Sequence, residues 1–165
     1  MTMVKHSSLL FALVPTLLMG QVGLVGQVKH PDRLFQLSDL KTAKITYGGK
    51  SMTVWVMDSP SKRNEGMMFL NDPDVKIGQG MLFVFPDAEP RSFWMKNTNI
   101  PLDIAYMNAA GKVLNVEALK PHNTTGVPSK GPTKYVLEMK RGAFKRFGIK
   151  AGTVFKIPSS LKAVL

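Results

Sequence analysis

Two carboxylates and a group of polar residues within apolar stretches are the features of this sequence best suited to chemistry. The segment 93–107, FWMKNTNIPLDIAYM, contains Lys96, Asn97 and Asp103 among mainly apolar residues, and Glu138 lies in the later apolar run YVLEM. Two carboxylates in one site can divide the roles of general acid and general base. Asp103 and Glu138 are therefore the candidate catalytic residues, although the sequence does not fix the distance between them.

The same segment also suits a binding site. Ligand pockets are mostly apolar and carry a few convergent polar groups, and Trp94 beside Lys96 and Asn97 has this composition. With Asp103 these residues form the predicted ligand-binding group. A structural interpretation stays open, in which Lys96, Asn97 and Asp103 hold a turn through hydrogen bonds, because Asn and Thr are common turn residues.

Several other chemistries lack the residues that they need. The sequence contains no cysteine, which excludes disulfides and thiolate nucleophiles. Its three histidines are far apart and its carboxylates lack the spacing of a calcium loop, so no metal and no cofactor are predicted. No glycine-rich phosphate loop and no Gly-x-Ser-x-Gly motif occur, so nucleotide binding and serine hydrolase chemistry are not expected.

The chain is strongly basic, with 22 Lys and Arg residues against 11 Asp and Glu residues and a formal net charge of +11. Such a charge favours contact with anionic polymers, phosphates or membrane surfaces. Most cations are scattered, and they either keep the protein soluble or form an interaction surface. No nucleic-acid partner is predicted, because no recognition-helix motif accompanies the charge. The local concentration of cations comprises Lys140, Arg141, Lys145, Arg146 and Lys150.

The first 28 residues have the features of a signal peptide or a signal anchor. Lys5 precedes an uncharged segment from Ser7 to Val28, as a positive n-region precedes an apolar h-region. Cleavage is favoured because Pro15 and three glycines dilute the hydrophobicity. A retained anchor, with membrane attachment through residues 7–28, is the alternative, because about 20 residues span a bilayer. The predicted location is secreted or periplasmic, or membrane-anchored and facing outside the cytoplasm.

Short strands joined by turn residues are predicted to position these side chains. The β-rich runs 43–47 and 51–57 flank Gly48 and Gly49, which allow the positive φ angles of a tight hairpin turn. The runs 92–96 and 102–108 also have hairpin-like spacing. The other predicted strands are 81–85, 112–119, 135–139 and 153–157.

Two short helices complete the predicted elements. Ser59 is the expected N-cap of a helix that begins at Pro60 and continues to about Phe69, and a second helix is expected over 141–148. In the run 102–107, strand alternation places Asp103 on the face opposite Leu102. A hairpin across the NTNIP turn would allow Lys96 to pair with Asp103.

The predicted fold is mainly β: an antiparallel sandwich or a jelly-roll-like, partly closed barrel with two short helices. The predicted organisation is a signal peptide or anchor over 1–28, a linker or lead-in over 29–42, a single β-rich domain over 43–158 and a tail over 159–165. The oligomeric state does not follow from the sequence.

Several motifs resemble those of the family named domain of unknown function 192. They include FWMKNT at 93–98, IPLDI at 100–104 and YVLE at 135–138, and the similarity extends over about residues 43–157. The resemblance implies a small, mainly β domain, often placed after a signal peptide in bacteria, without an established activity. The matching positions add Ser129 and Glu138 to the candidate ligand-binding residues. The sequence departs from the family pattern at Leu70, His122 and Thr153.

Three functions follow as hypotheses. The first is an extracytoplasmic domain that binds a small polar or anionic ligand, such as an envelope glycan. The second is a hydrolase or lyase acting on carbohydrate with Asp103 and Glu138 as acid and base. The third is a basic interaction protein whose segment 140–150 contacts an acidic partner or a membrane surface.

Overall fold

The computed structural model describes residues 29–164, so the predicted signal peptide or anchor lies outside the described residues. The helices are α1 (Pro60–Glu65) and α2 (Ala143–Phe147), and single 3-10 turns occur at Leu37–Asp39 and Asp72–Asp74. The strands are β1 (Thr42–Tyr47), β2 (Lys50–Met57), β3 (Gly80–Glu89), β4 (Ser92–Phe93), β5 (Leu102–Met107), β6 (Val113–Leu119), β7 (Val127–Pro128), β8 (Thr133–Lys140) and β9 (Phe155–Lys156).

Seven of these strands form one curled sheet in the order β6-β5-β8-β3-β2-β1-β9, and β4 pairs with β7 in a separate small sheet. The predicted class, mainly β with two short helices, is confirmed. One pair departs from the predicted antiparallel arrangement, because β2 runs parallel to β3 with Trp55 opposite Met81. The connection between them contains α1, since parallel neighbours need a long crossover rather than a tight turn.

Both faces of the curled sheet carry a hydrophobic core. In β5 all six side chains are buried. Ile104 and Tyr106 belong to the first core cluster, whereas Ala105 and Met107 belong to the second. Because successive side chains of a strand point to opposite faces, this division follows the sheet, and Asp103 faces the second cluster.

The local turn and cap predictions agree with the structure. Gly48 and Gly49 have φ angles of 49° and 77° in the hairpin turn between β1 and β2. The Ser59 side chain accepts a hydrogen bond from the backbone N–H of Lys62 at the start of α1. The helix ends at Gly66, earlier than predicted, because this residue has φ 48° and ψ −128°, which no helix contains.

The predicted hairpin across the NTNIP turn is wrong. The first of its strands contains only Ser92 and Phe93, and it pairs with β7 rather than with β5. The chain then crosses the core, where Met95 and Ile100 are buried. The backbone N–H groups of this segment do not donate to a neighbouring hairpin strand. For example, the N–H of Met95 donates to the carbonyl of Asn123 at 2.7 Å. These contacts keep β5 free to pair with β6 and β8.

The segment before β1 packs against the domain. Leu37 and Leu40 are buried in the first core cluster, and the buried Arg33 forms an ion pair with Glu65 of α1 at 3.3 Å. Residues 30–41, predicted as part of a linker or lead-in, therefore cover the sheet and fix α1. At the other end, Leu161 of the predicted tail is buried in the second cluster.

Candidate functional site

A pocket of about 370 Å³ lies on the sheet face that carries the first core cluster. Phe83 of β3 and Glu138 of β8 line it from the sheet, α1 and the residues after it form one side, and the segment 92–98 contributes the other. We refer to it as the Glu138 pocket. Its volume lies within the range of small-molecule sites.

Glu138 is a buried acid inside this pocket. Only 4% of the residue is exposed, and within the described chain no hydrogen bond or neighbouring charge compensates its burial. Burial raises the pKa of Glu138 to about 8, because removal from water disfavours the charged form. At neutral pH the side chain is mostly a neutral acid, and its O–H group can donate a hydrogen bond into the pocket.

Gly66 brings the backbone close to this acid. An ideal Cβ at residue 66 would lie 3.1 Å from Cζ of Phe83 and 3.8 Å from Oε2 of Glu138. The backbone at Gly66 also has a positive φ of 48°, which side chains other than glycine rarely allow. A glycine here therefore keeps the space beside Glu138 open.

Aromatic side chains form the apolar part of the pocket. The Phe93 ring lies edge to face with Phe83 at 5.0 Å and with Phe85 at 6.4 Å between ring centroids. Trp94 lines the pocket and is 46% exposed, which is unusual for so large an apolar side chain. Its exposed ring offers a stacking surface to a bound molecule.

Three cations lie beside these aromatic rings. Arg63 and Arg91 are 5.2 and 4.1 Å from the centroid of Phe85, and the Lys96 ammonium is 5.4 Å from that of Trp94. Such cation–π contacts stabilise the rings by about 0.5–1 kcal/mol at exposed sites. They also make the surroundings of the pocket favourable to anions.

The second carboxylate that lines the pocket, Glu65, already has protein partners at both oxygens. Glu65 accepts hydrogen bonds from the backbone N–H groups of Leu34 and Phe35 at 2.6 and 3.1 Å, and it pairs with Arg33. Since both carboxylate oxygens have protein partners, Glu65 holds the segment before β1 in place and is not free to activate water.

Asp103, the other predicted catalytic carboxylate, lies elsewhere. It is opposite Met139 in the β5–β8 ladder, whereas Glu138 is opposite Ile104. Adjacent register positions point to opposite faces, so Asp103 and Glu138 are separated by the sheet. The structure does not bring the proposed acid and base together.

The remaining predicted site residues occupy different places. Trp94 lines the pocket, while Lys96 and Asn97 are exposed beside it, and Asn97 holds Phe69 by accepting its backbone N–H at 2.8 Å. Ser129 instead links two loops, because its hydroxyl accepts from the backbone N–H of Arg91 and donates to the carbonyl of Gly131.

Sequence reasoning missed the contributions of Arg63 and Gly66 to the pocket. A signal for Gly66 existed, because a glycine within a predicted helix often marks a helix end or a close backbone approach. No sequence signal pointed to Arg63, because its position beside Phe85 depends on how α1 lies against β3.

The described residues contain no group of three or more His, Cys, Asp or Glu side chains placed to hold a metal ion. Over the same residues, no helix is long and apolar enough to cross a membrane.

A family model described as "Uncharacterized ACR", domain of unknown function 192, matches residues 43–157. The chain belongs to this family. The match begins within β1 and ends directly after β9, so the domain of unknown function 192 comprises the whole curled sheet. The family predicted from the sequence motifs is confirmed.

Two solved structures are similar to this family member. A protein of unknown function from Novosphingobium aromaticivorans is 29% identical with a TM-score of 0.67, over 79% of this chain and 91% of that one. A candidate transcription regulator from Sinorhizobium meliloti is 31% identical with a TM-score of 0.63, over 68% of this chain and 89% of that one. None of the curated proteins compared with the chain matches it.

The three departures from the family pattern are outside the lining of the Glu138 pocket, although the backbone N–H groups of His122 and Leu70 donate to the lining residues Thr98 and Met67. Leu70 is buried in the first core cluster, His122 is exposed in a loop, and the Thr153 hydroxyl accepts a hydrogen bond from the backbone of Lys150. None of the three lines the pocket of this member of the family.

Proposed function

We propose that this domain binds a small polar or anionic ligand that contains a ring, such as a unit of an envelope glycan, in the Glu138 pocket. The observation that carries the proposal is that Glu138 lines the pocket while the residue is only 4% exposed and its carboxyl group makes no hydrogen bond within the described chain. Burial disfavours the charged form of this group and raises its pKa. Perturbed ionisable groups of this kind cluster at functional sites.

The chemistry of the pocket favours this class of ligand. The neutral Glu138 carboxyl group can donate a hydrogen bond to a ligand oxygen and accept one from a ligand hydroxyl. The Trp94 ring provides a flat surface against which the face of a ring can pack. Arg63 and Lys96 add positive charge at or beside the pocket, so an acidic group on the ligand is tolerated.

Binding is a better proposal than hydrolysis. An acid and base pair must act on one bound substrate, yet Asp103 faces the opposite side of the sheet from Glu138. The oxygens of Glu65 are occupied by backbone N–H groups. Glu138 therefore has no second free carboxylate beside it among the residues that line the pocket.

We further propose that the domain functions outside the cytoplasm, either secreted or periplasmic or retained by an anchor. This proposal rests on Lys5 and the uncharged segment from Ser7 to Val28, which have the order of a signal sequence.

The test is thermal unfolding and tryptophan fluorescence of the purified protein across a panel of neutral sugars, sugar acids and glycan fragments. Trp55 is replaced by Phe so that Trp94 is the sole tryptophan, and excitation at the red edge of tryptophan absorption avoids the three tyrosines. A ligand at 100 times its Kd is expected to add about 2.7 kcal/mol of stability. The same compound is expected to change the Trp94 emission.

Two pocket variants and two matched controls complete this test. Trp94→Ala and Glu138→Leu, which removes both the donor and the acceptor, are each expected to weaken binding about tenfold, which corresponds to a loss of about 1.4 kcal/mol. The controls are Leu34→Ala, an exposed apolar residue outside the pocket, and Glu117→Leu, a carboxylate on the outer strand β6. Binding that survives both pocket variants would refute the proposal, as would the absence of any stabilising compound.

A further inference from the structure

A second concave surface lies at the β9 edge of the sheet and shares no lining residue with the Glu138 pocket. It has a volume of about 450 Å³, and its charged lining residues are Lys44, Lys50 and Lys156. Thr46 and Ser51 add hydroxyl groups. We refer to it as the basic groove.

The strand register places Lys44, Thr46, Ser51 and Lys156 on one face of the sheet, whereas Lys50, opposite Tyr47 at the hairpin end, points to the other face. Thr46 of β1 is opposite Ser51 of β2 on one side and opposite Lys156 of β9 on the other. Lys44 lies two residues before Thr46, so it points to the same face. Neighbouring strands are about 4.8 Å apart, which places several donors within one short stretch of surface.

Carboxylates are missing from the two chain segments that build this edge. Residues 40–57 and 139–165 contain ten of the 22 Lys and Arg residues and none of the 11 Asp and Glu residues. The fold joins these distant segments by pairing β1 with β9. The sheet edge therefore carries charge of one sign, although the cations are scattered along the sequence.

The C-terminal end of α2 approaches this edge from the face of the sheet that carries Tyr47 and Lys50. The carbonyl of Phe147 accepts hydrogen bonds from the Tyr47 hydroxyl at 3.4 Å and from the Lys50 ammonium at 3.3 Å. The exposed cations Lys145 and Arg146 of α2 thus lie near the hairpin between β1 and β2.

Two cations at the start of the predicted basic segment 140–150 are already paired with carboxylates. Lys140 is paired with Asp72 at 2.8 Å, and Arg141 with Asp103 at 3.2 Å. The basic groove, rather than the start of the segment 140–150, therefore carries the available charge.

We infer that the basic groove binds a chain of acidic polysaccharide, with its sulfate, phosphate or carboxylate groups against Lys44 and Lys156 and with Lys50 at the hairpin end of the groove. Ammonium groups are compact charges that contact such anions without a fixed geometry, and hydroxyl groups donate hydrogen bonds to their oxygens. Concave shape and unbroken positive charge both raise the local concentration of an anion.

The groove fits other polyanions less well. Single-stranded nucleic acids need aromatic surfaces on which bases stack, and the aromatic residue lining the groove, Tyr47, is only 6% exposed. Helices that read DNA span several turns, whereas α2 has five residues. A membrane surface is flat, and the groove is concave.

The test measures binding of heparin, used as an acidic polysaccharide probe, to the purified protein by calorimetry at low and at physiological salt. The groove variant is K44E/K50E/K156E. The matched control is K76E/K120E/K130E, which changes three exposed lysines outside the groove. Both variants lower the net charge equally, so total charge cannot distinguish them.

The groove variant is expected to bind heparin at least tenfold more weakly, and the control variant is expected to stay within about threefold of the original protein. Equal losses in the two variants would overturn the inference, because charge in general would then explain the binding. A Lys→Gln version of the groove variant provides the same comparison if the Glu version does not fold, as judged by its thermal midpoint.

Two further measurements separate this site from other possibilities. Tighter binding to phosphatidylglycerol vesicles than to heparin would overturn the choice of a polysaccharide. Glu138→Gln is expected to bind heparin normally, because the basic groove and the Glu138 pocket share no lining residue. Loss of heparin binding in this variant would contradict the assignment to the groove.

Discussion

The carboxylate of Asp103 accepts a hydrogen bond from the backbone N–H of Gly142 at 2.8 Å and a second from that of Phe144 at 3.2 Å. These donors belong to the start of α2, whose N–H groups have no partner within the helix. Asp103 therefore joins α2 to β5, and it does so on the sheet face opposite the Glu138 pocket. The polar residue that first suggested catalysis has a structural role.

Replacement of Asp103 is expected to lower stability without changing ligand binding. In Asp103→Ala, two N–H donors lose their acceptor, which is expected to cost about 2–3 kcal/mol. Urea unfolding provides the measurement. The control is Asp72→Ala, whose carboxylate side chain is 74% exposed and whose loss is expected to change the free energy of unfolding by at most about 0.5 kcal/mol. Equal stabilities of the two variants would contradict the assigned role.

Stability is expected to fall as the pH rises from about 5 to about 8. Burial raises the pKa of Glu138 from its ordinary value of 4.5 to about 8, so the folded protein holds a proton that the unfolded chain releases. The stabilisation is complete below pH 4.5 and is lost as the pH passes 8. We expect a decrease of about 2–4 kcal/mol across this range, measured by urea unfolding at several pH values.

The control for this pH dependence is a neutral side chain of the same shape. Glu138→Gln is expected to flatten the decrease and to be more stable than the original protein above pH 8, because it carries no charge to bury. Glu117→Gln, on β6, is expected to keep the decrease. A pH profile that Glu138→Gln leaves unchanged would show that another group titrates.

The ion pair between Arg33 and Glu65 is expected to stabilise the fold as a unit. Removal of one partner leaves the other charge buried, which costs about 3–5 kcal/mol. We expect Arg33→Met and Glu65→Gln each to have an effect of this size, and the double variant to lose less than their sum. A double-mutant cycle by urea unfolding measures the difference. Strictly additive losses would mean that the two side chains stabilise the domain independently.

Gly66→Ala is expected to destabilise the domain by about 2–3 kcal/mol and to narrow the Glu138 pocket. The new methyl group would meet Phe83 at 3.1 Å, and the backbone would be strained by its positive φ. Gly48→Ala is the matched control, because its φ is also positive but no atom lies within 4 Å of the new Cβ. We expect it to cost only about 1–2 kcal/mol. Similar losses would show that the contact with Phe83 is unimportant.

Features that depend on near neighbours were predictable from the sequence. The turn at Gly48 and Gly49 follows from the φ angles that glycine allows, and the start of α1 follows from the capping chemistry of Ser59. The alternation in β5 also placed Asp103 on the correct face. Each of these features involves residues that lie close together in the chain.

Pairings between distant segments were not predictable in this way. The partner of β4 is β7 rather than the next strand, and the acceptor role of Asp103 depends on Gly142, 39 residues later. Glu138 was visible as a carboxylate in an apolar run. Its place in a pocket beside Gly66 and Phe83 depends on the folded sheet, which brings these distant residues together.

The buried position of Arg33 limits how the domain can be attached to a membrane. The uncharged N-terminal segment ends at Val28, and the four residues between it and Arg33 span at most about 14 Å when extended. If the leader is retained, this short connection holds the domain directly against the bilayer surface instead of on a long tether. Glu65 and Gly66, which contact Arg33 and line the Glu138 pocket, would then lie close to the lipid surface.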